Sequence, residues 1–218
     1  MLDWATANAS VIRRATEAAD ASDLRGRSLP LGAGLASVGD TLILLGAVEE
    51  RTNPVSGLTY LARLDSVLPE RMPSYDRFAP TEAETVPQAY FVSESATRIL
   101  ELLRAHGIEL MPPPPPGSGG ALSDYEIERF VIDSTRVSER AFQGHHEREV
   151  YGHWCASVGH LSEEWAVDME QPLARLAFTL LEPRSPDGIV NWNFADDEIE
   201  RSWYPVVRSA TDTVEPCE

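Results

Sequence analysis

A run of five prolines, Pro112–Pro116, is the strongest constraint on how this 218-residue chain folds. A proline run is stiff, extended and poor in backbone donors, and the Gly-Ser-Gly-Gly that follows it is flexible. The sequence therefore predicts a linker at residues 112–120. It separates a first α+β unit at 28–111 from a second at 121–218, and residues 1–27 form a helix and a connection ahead of them.

The first half of the chain contains two strand-like runs separated by turn residues. The apolar run Thr41–Glu50 and the run Leu58–Val67 are strand-like, and Asn53–Gly57 between them supplies turn residues, so we predict a β-hairpin. Residues 69–87 contain four prolines among alternating charges and are predicted to cross the surface without regular structure. Residues 26–39, rich in glycine and serine, are interpreted as a connection with at most one short strand.

A strand that leads into a helix occurs in both halves. Residues 88–92 are followed by a predicted helix at 95–106, capped by Ser93 or Ser95 and ended by Gly107. In the second half two strands are predicted within 125–154, then a strand at 165–167 and a helix at 172–181, which Pro183 ends. We expect an α+β fold with mixed or antiparallel sheets, two main helices and a decayed internal repeat.

The N-terminal residues 2–24 have helical character with a thin apolar stripe. Trp4, Val11 and Ile12 are its larger members, and Arg13 and Arg14 interrupt the face. Because isolated helices are marginal in water, such a helix depends on a partner surface. We predict that it is loosely held by the rest of the chain.

The charge balance disfavours two classes of partner. All 18 basic residues are arginine, 35 residues are acidic, and the formal net charge is −17. The sequence has no basic stripe that could bind a nucleic acid or an anionic membrane surface. The longest apolar run, Thr41–Val48, is far shorter than the roughly 20 residues that span a bilayer. We expect neither nucleic-acid binding nor a membrane segment.

Two cysteines, Cys155 and Cys217, are too few for a cysteine-based metal cluster. A core of this size does not need a disulfide framework. A free cysteine on a strand is most often a small buried apolar residue, and that is our expectation for Cys155.

A His-x-x-Glu pattern occurs at His146–Glu149, with further histidines nearby. Hydrolytic zinc needs three protein ligands, and on a strand His146 and Glu149 would point to opposite faces, so we predict no catalytic residues and no metal. Two alternatives stay open. The first is a structural metal on the shared face of His145, Glu147 and His153, and the second is a metal-dependent hydrolase built on His145, His146 and Glu149.

Aromatic and amide side chains cluster near the C-terminus. The cluster comprises Trp192, Asn193, Phe194, Trp203 and Tyr204. Such rings beside amides are what glycan or peptide recognition requires, and core packing explains them equally well. A free-standing glycan- or peptide-binding module is therefore an alternative function.

Several segments together resemble the C-terminal part of large bacterial zinc carboxypeptidase-like peptidases. The match is carried by Gln171–Phe178, Leu180–Phe194 and Tyr204–Val206, and shorter matches upstream include Asn53–Gly57 and Phe142–His145. In that family a catalytic domain holds zinc with a His-x-x-Glu pair and a distant histidine, and these precede the region that the chain resembles.

The resemblance implies a non-catalytic accessory region that supports a peptidase domain or its substrate binding. On this interpretation residues 2–24 resemble the helix that closes the catalytic domain, and the chain is a fragment of a longer protein. The expected partner is the peptidase domain in cis, which would hold the zinc. The family also suggests an extracytoplasmic or secreted protein.

Overall fold

The computed structural model describes residues 2–113, 125–159, 161–199, 203–211 and 214–217. These residues form an α+β fold with mostly antiparallel strands, which confirms the predicted class. In chain order the elements are α1 (Leu2–Ala7), α2 (Ala9–Asp20), β1 (Ser28–Ala36), β2 (Asp40–Thr52), β3 (Thr59–Pro73), β4 (Arg77–Thr85), β5 (Ala89–Ser93), α3 (Thr97–Ala105), β6 (Tyr125–Val137), β7 (Arg148–Gly159), β8 (Glu164–Asp168), α4 (Ala174–Leu181), α5 (Asp196–Ile199) and β9 (Val206–Ser209).

The chain divides into two compact units. One comprises residues 1–32 and 82–218, and the other comprises residues 33–81. This division differs from the predicted units at 28–111 and 121–218. The physical reason is a single five-stranded sheet, in the order β7-β6-β9-β5-β8, which joins strands from both sides of the proline run. Residues 114–120 of the predicted linker lie outside the described residues.

The smaller unit contains the predicted hairpin, which is confirmed. Strands β2 and β3 pair antiparallel from Asp40 opposite Pro73 to Thr52 opposite Thr59, with one irregularity near Gly46. The turn is closed by the amide of Gly57, which donates to the Asn53 carbonyl at 2.8 Å, and Gly57 has a φ of 71° that suits glycine.

The prediction of an irregular segment at 69–87 is wrong. Strand β3 continues to Pro73, and β4 pairs with β1, which forms where a connection was expected. The prolines are tolerated because a two-stranded sheet consists only of edge strands, where a missing amide donor need not interrupt a ladder.

The core of the larger unit lies between its sheet and the two main helices. Tyr90 and Val92 of β5, Ile99 and Leu103 of α3, and the inner face of α4 are buried. Both helices were predicted within two residues of their observed bounds. The capping prediction is wrong, since the N-cap of α3 is Ala96, which makes no side-chain cap hydrogen bond with any described residue.

Helices α1 and α2 replace the single helix expected at 2–24, and α2 ends at Asp20. None of their described side chains is buried, and Trp4 is 66% exposed. Among the described helices, none combines the length and apolarity needed to cross a membrane. A strand followed by a helix occurs twice, at β5–α3 and at β8–α4. That the two pairs arose from an internal repeat stays a prediction.

Cys155 and Cys217 form a disulfide across 62 residues of sequence, so the expectation of a free Cys155 is wrong. Cys155 is buried on β7, and the last described residues run alongside that strand. The amide of Ala156 donates to the Glu215 carbonyl at 2.8 Å, and the amide of Cys217 donates back to the Ala156 carbonyl at 2.9 Å. The disulfide therefore holds an extended tail against the edge of the sheet.

Candidate functional site

The loop at residues 183–194 follows α4 and separates two depressions in the larger unit. The middle of the loop folds back on the helix, where the amide of Ile189 donates to the Leu180 carbonyl at 2.9 Å. A Cβ at Gly188 would lie 3.0 Å from the Glu182 carbonyl oxygen and 3.1 Å from the Ser185 Cβ. Close backbone approach thus favours glycine at this position.

The β6–β7 connection packs against this loop. Asn193 has a φ of 62°, and its Nδ2 donates to the His146 carbonyl at 3.0 Å. The His145 ring stacks on Trp192 with ring centroids 4.3 Å apart, and Arg148 Nε lies 2.9 Å from a carboxylate oxygen of Asp196. The stacking and the hydrogen bond fix the loop to the β6–β7 connection, and the ion pair joins β7 to α5, which follows the loop.

On one side of the loop is a polar cleft of about 420 Å³. It is lined by the first residues of β7 and by residues of the loop and β4, namely Glu82, Arg148, Glu149, Val150, Tyr151, Gly152, Pro183, Arg184, Ser185, Pro186 and Asn191. Arg184 forms ion pairs with Glu82, at 2.7 Å, and with Glu84. The cleft therefore contains charges of both signs that already have partners.

On the other side is an aromatic pocket of about 310 Å³. Its wall is formed by Leu102, Leu180, Ile189, Trp192 and Phe194, with His106, Asp187 and Gly188 completing the lining. This combination of apolar walls with a few polar groups is typical of small-ligand sites.

The predicted aromatic cluster is divided between this pocket and the core. Trp192 and Phe194 line the pocket, while Asn193 holds the β6–β7 connection. Trp203 is 41% exposed and is not part of the pocket lining. Tyr204 is only 3% exposed, and its hydroxyl donates to the Leu181 carbonyl at 2.6 Å. Tyr204 is thus a core residue, which corrects its interpretation as a binding residue.

The strand assumed for the histidine cluster is also corrected. His145, His146 and Glu147 lie in the connection before β7, so they do not share a strand face with His153. The His146 ring and the Ser138 carbonyl are 2.7 Å apart, and His153 lies 3.7 Å from Asp133.

Glu149 accepts a hydrogen bond from the Tyr151 hydroxyl at 2.9 Å. Among the described residues, no three His, Cys, Asp or Glu side chains are arranged to hold a metal ion. His160 lies outside the described residues.

A buried charge cluster, which sequence reasoning missed, is connected to the cleft through Glu84, the shared partner of Arg184 and Arg208. Arg208 Nε donates to Glu128 at 2.5 Å, and its Nη1 donates to Glu182 at 3.0 Å and to Glu84 at 3.3 Å. The guanidinium also lies 4.3 Å from the ring centroid of Trp154. An arginine directly after the apolar pair Val206–Val207 on a strand was the available signal for a buried, paired charge.

Burial raises the pKa of Glu182 to about 7, although Arg208 and two hydrogen bonds act in the opposite direction. Those bonds come from the Tyr90 hydroxyl at 2.6 Å and from the indole of Trp154 at 3.1 Å. Burial and the nearby Glu182 carboxylate also raise the pKa of Tyr90 well above its ordinary value. Near neutral pH the cluster thus contains a carboxyl group that is close to its titration midpoint.

No family model, curated protein or solved structure matches this chain.

Proposed function

We propose that this chain is a non-catalytic accessory region of a zinc carboxypeptidase-like protein and that it packs against the peptidase domain. The resemblance of residues 171–194 and 204–206 to that family suggests the partner. The observation that carries the proposal is the β2–β3 ribbon, whose large apolar side chains are exposed on both faces.

The ribbon's register shows how the exposed side chains are distributed. Residues opposite each other in an antiparallel pair share a face, and successive residues alternate between faces. Leu42 and Leu44, 61% and 63% exposed, therefore lie on one face with Val67, which is opposite Gly46. Leu45 lies with its partner Leu68 on the other face.

Such a ribbon is poorly suited to exist without a partner. A two-stranded hairpin is marginal in water unless it packs on another element, and contiguous exposed apolar patches mark interaction sites. Helix α2 supports the same conclusion independently, because Val11 and Ile12 are exposed although the helix is amphipathic. Both surfaces fit a module that buries apolar area against a second domain.

The Cys155–Cys217 disulfide supports an extracytoplasmic location. Disulfides persist in oxidising compartments and are rare in the reducing cytosol. This agrees with the location that the family resemblance suggests.

The proposal is tested with the full chain and a purified zinc carboxypeptidase-like catalytic domain encoded in the same genome. We expect a one-to-one complex by size-exclusion chromatography with light scattering, and a measurable affinity by calorimetry. Replacing Leu42 and Leu44 with serine is expected to weaken binding at least tenfold, because burying each leucine contributes ~1.5–3 kcal/mol. The matched control on the same ribbon is Asp65→Ser, which removes no apolar area.

Two results would contradict this function. One is a monomeric chain that binds no such domain and whose β2–β3 ribbon amides are protected from hydrogen exchange in the absence of any partner. The other is zinc-dependent release of C-terminal residues by the chain alone, abolished by His146→Ala.

The aromatic pocket favours a second candidate, a free-standing binding module for glycans or peptides. Trp192 and Phe194 supply ring faces for a sugar or an apolar side chain. An array of oligosaccharides and peptides should then show ligands whose binding is lost in Trp192→Ala and kept in Trp203→Ala. The hydrolase alternative on His145, His146 and Glu149 has no supporting observation among the described residues.

A further inference from the structure

Strand β7 lies at one end of the five-stranded sheet, with β6 paired along its inner edge. The outer edge of such a strand presents backbone N–H and C=O groups that an extended polypeptide can pair with. Described residues engage this outer edge at two positions, Arg148 and Ala156, and these two positions define its direction.

At Ala156 the edge already accepts an extended segment. The tail forms a parallel bridge there, with Ala156 and Pro216 opposite each other, and both backbone groups of Ala156 are used. The adjacent Cys155–Cys217 disulfide keeps the tail in place. Strand addition to β7 is therefore a feature of the fold itself.

At Arg148 the same edge contacts the loop at residues 183–194. The Arg148 amide donates to the Asn191 carbonyl at 3.4 Å, and Asn191 Nδ2 lies 3.5 Å from the Arg148 carbonyl oxygen. Backbone groups alternate in direction along a strand, and 148 and 156 are separated by an even number of residues. The register irregularity opposite Gly152 inserts a residue on β6 and none on β7, so the alternation along β7 is kept. Val150, Gly152 and Trp154 are therefore expected to direct their N–H and C=O groups toward this same outer side.

The polar cleft lies beside this stretch. Val150 and Gly152 both line it, and Gly152 does so with backbone atoms alone, since it has no side chain. A Cβ at Gly152 would lie 2.0 Å from the Val131 carbonyl oxygen, so the residue has to be glycine. The opposite wall is formed by residues of the loop, including Ser185 and Asn191.

The electrostatics of the cleft favour a neutral main chain over a free anion. Its two arginines are already paired with carboxylates, Arg148 with Asp196 and Arg184 with Glu82. Glu149 lines the same cleft, so the lining contains acidic and basic groups side by side. An uncharged, hydrogen-bonding backbone needs no excess of either charge.

We propose that this cleft binds an extended peptide segment, which adds to the sheet as a strand in line with the tail. Its main chain pairs with the backbone groups of Val150 and Gly152. The stretch from Arg148 to Ala156 is ~26 Å long at ~3.3 Å per residue, so a peptide of about five residues fits between the two engaged positions. The proposal stands whether or not the chain attaches to a peptidase domain.

The test uses the full isotope-labelled chain and blocked pentapeptides of alternating valine and threonine, with a central valine, lysine or glutamate. We expect saturable NMR shifts and slowed hydrogen exchange at the amides of Val150 and Gly152. A matched peptide N-methylated at alternate residues lacks the donors on one edge and should bind at least tenfold more weakly. That difference identifies main-chain pairing rather than side-chain binding.

A pair of neighbouring variants tests the location. Pro186 is exposed and lines the cleft, whereas the adjacent Asp187 is exposed and lines the aromatic pocket. Pro186→Trp should obstruct the cleft and weaken binding at least tenfold, while Asp187→Trp should leave it unchanged.

Three results would overturn the proposal. They are the absence of a saturable shift at Val150 and Gly152 for every peptide up to ~1 mM, equal binding of the N-methylated peptide, and shifts confined to the aromatic pocket or to the β2–β3 ribbon.

Discussion

Replacing Arg208 with methionine would remove the only cation that contacts Glu128 and Glu182 among the described residues. Both carboxylates are fully buried, and the arginine side chain is 2% exposed. Methionine is unbranched and apolar but shorter than arginine, so the variant removes the buried positive charge together with its hydrogen bonds and its contact with the Trp154 ring. The variant therefore tests the contribution of the whole charge cluster to stability.

The expected loss follows from the geometry. Breaking a buried ion pair by removing one partner costs ~3–5 kcal/mol, because the remaining charge is left without compensation. Attraction by Arg208 lowers the pKa of Glu182, so the variant's carboxyl group titrates at a higher pH than the value of about 7 in the natural chain. At pH 5 the Glu182 carboxyl group is protonated and neutral, so the loss of stability should be smaller than at pH 8.

The measurement is urea unfolding followed by tryptophan fluorescence at pH 5 and pH 8. Arg208→Lys keeps a positive charge and should lose less than Arg208→Met, and Arg14→Met serves as the control at an exposed position without a described partner. If the methionine variant is unfolded at pH 8, its refolding at pH 5 gives the same information. A loss below ~1 kcal/mol at pH 8, or an equal loss at both pH values, would refute the reasoning.

Three further predictions concern stability. Folding raises the pKa of Glu182 from 4.5 to about 7, so its contribution to stability is full below about pH 4.5 and is lost as the pH rises through 7. Glu182→Gln should therefore flatten the dependence of stability on pH between these values, and urea midpoints measured across this range would show it. Leu181→Ala should cost ~2–5 kcal/mol, and Leu176→Ala clearly less, because Leu181 is fully buried and Leu176 only partly; equal losses in thermal melts would contradict this. Deleting residues 2–20 should change the midpoint of the remainder little, and their amides should exchange fast, whereas unfolding on deletion would show that these helices support the fold.

Local signals made several elements predictable. The β2–β3 turn and the two main helices were recognised because turn residues and helical spacing act over a few neighbouring positions. The strand between residues 77 and 85 was missed because its proline and charges resemble those of a loop, and only pairing with β1 makes it a strand. The exposure of the N-terminal stripe was also predicted, since its large apolar residues are few and Arg13 and Arg14 interrupt the face.

The candidate sites depended on contacts between distant residues. The sequence indicated that Trp192 and Phe194 could bind a ligand but not that Tyr204, ten residues later, would be buried. The three-residue spacing of His146 and Glu149 was readable, whereas their place in a connection and at a strand start was not.

By itself the sequence determined the class of fold, the hairpin, the helices and the acidic character of the chain, because these depend on composition and short-range periodicity. Only the tertiary structure decided that one sheet spans the proline run, that Cys155 meets Cys217 across 62 residues, and that Arg208 meets Glu128 across 80. Such pairings depend on which surfaces pack together, since loop closure varies only slowly with sequence separation and does not select the partner.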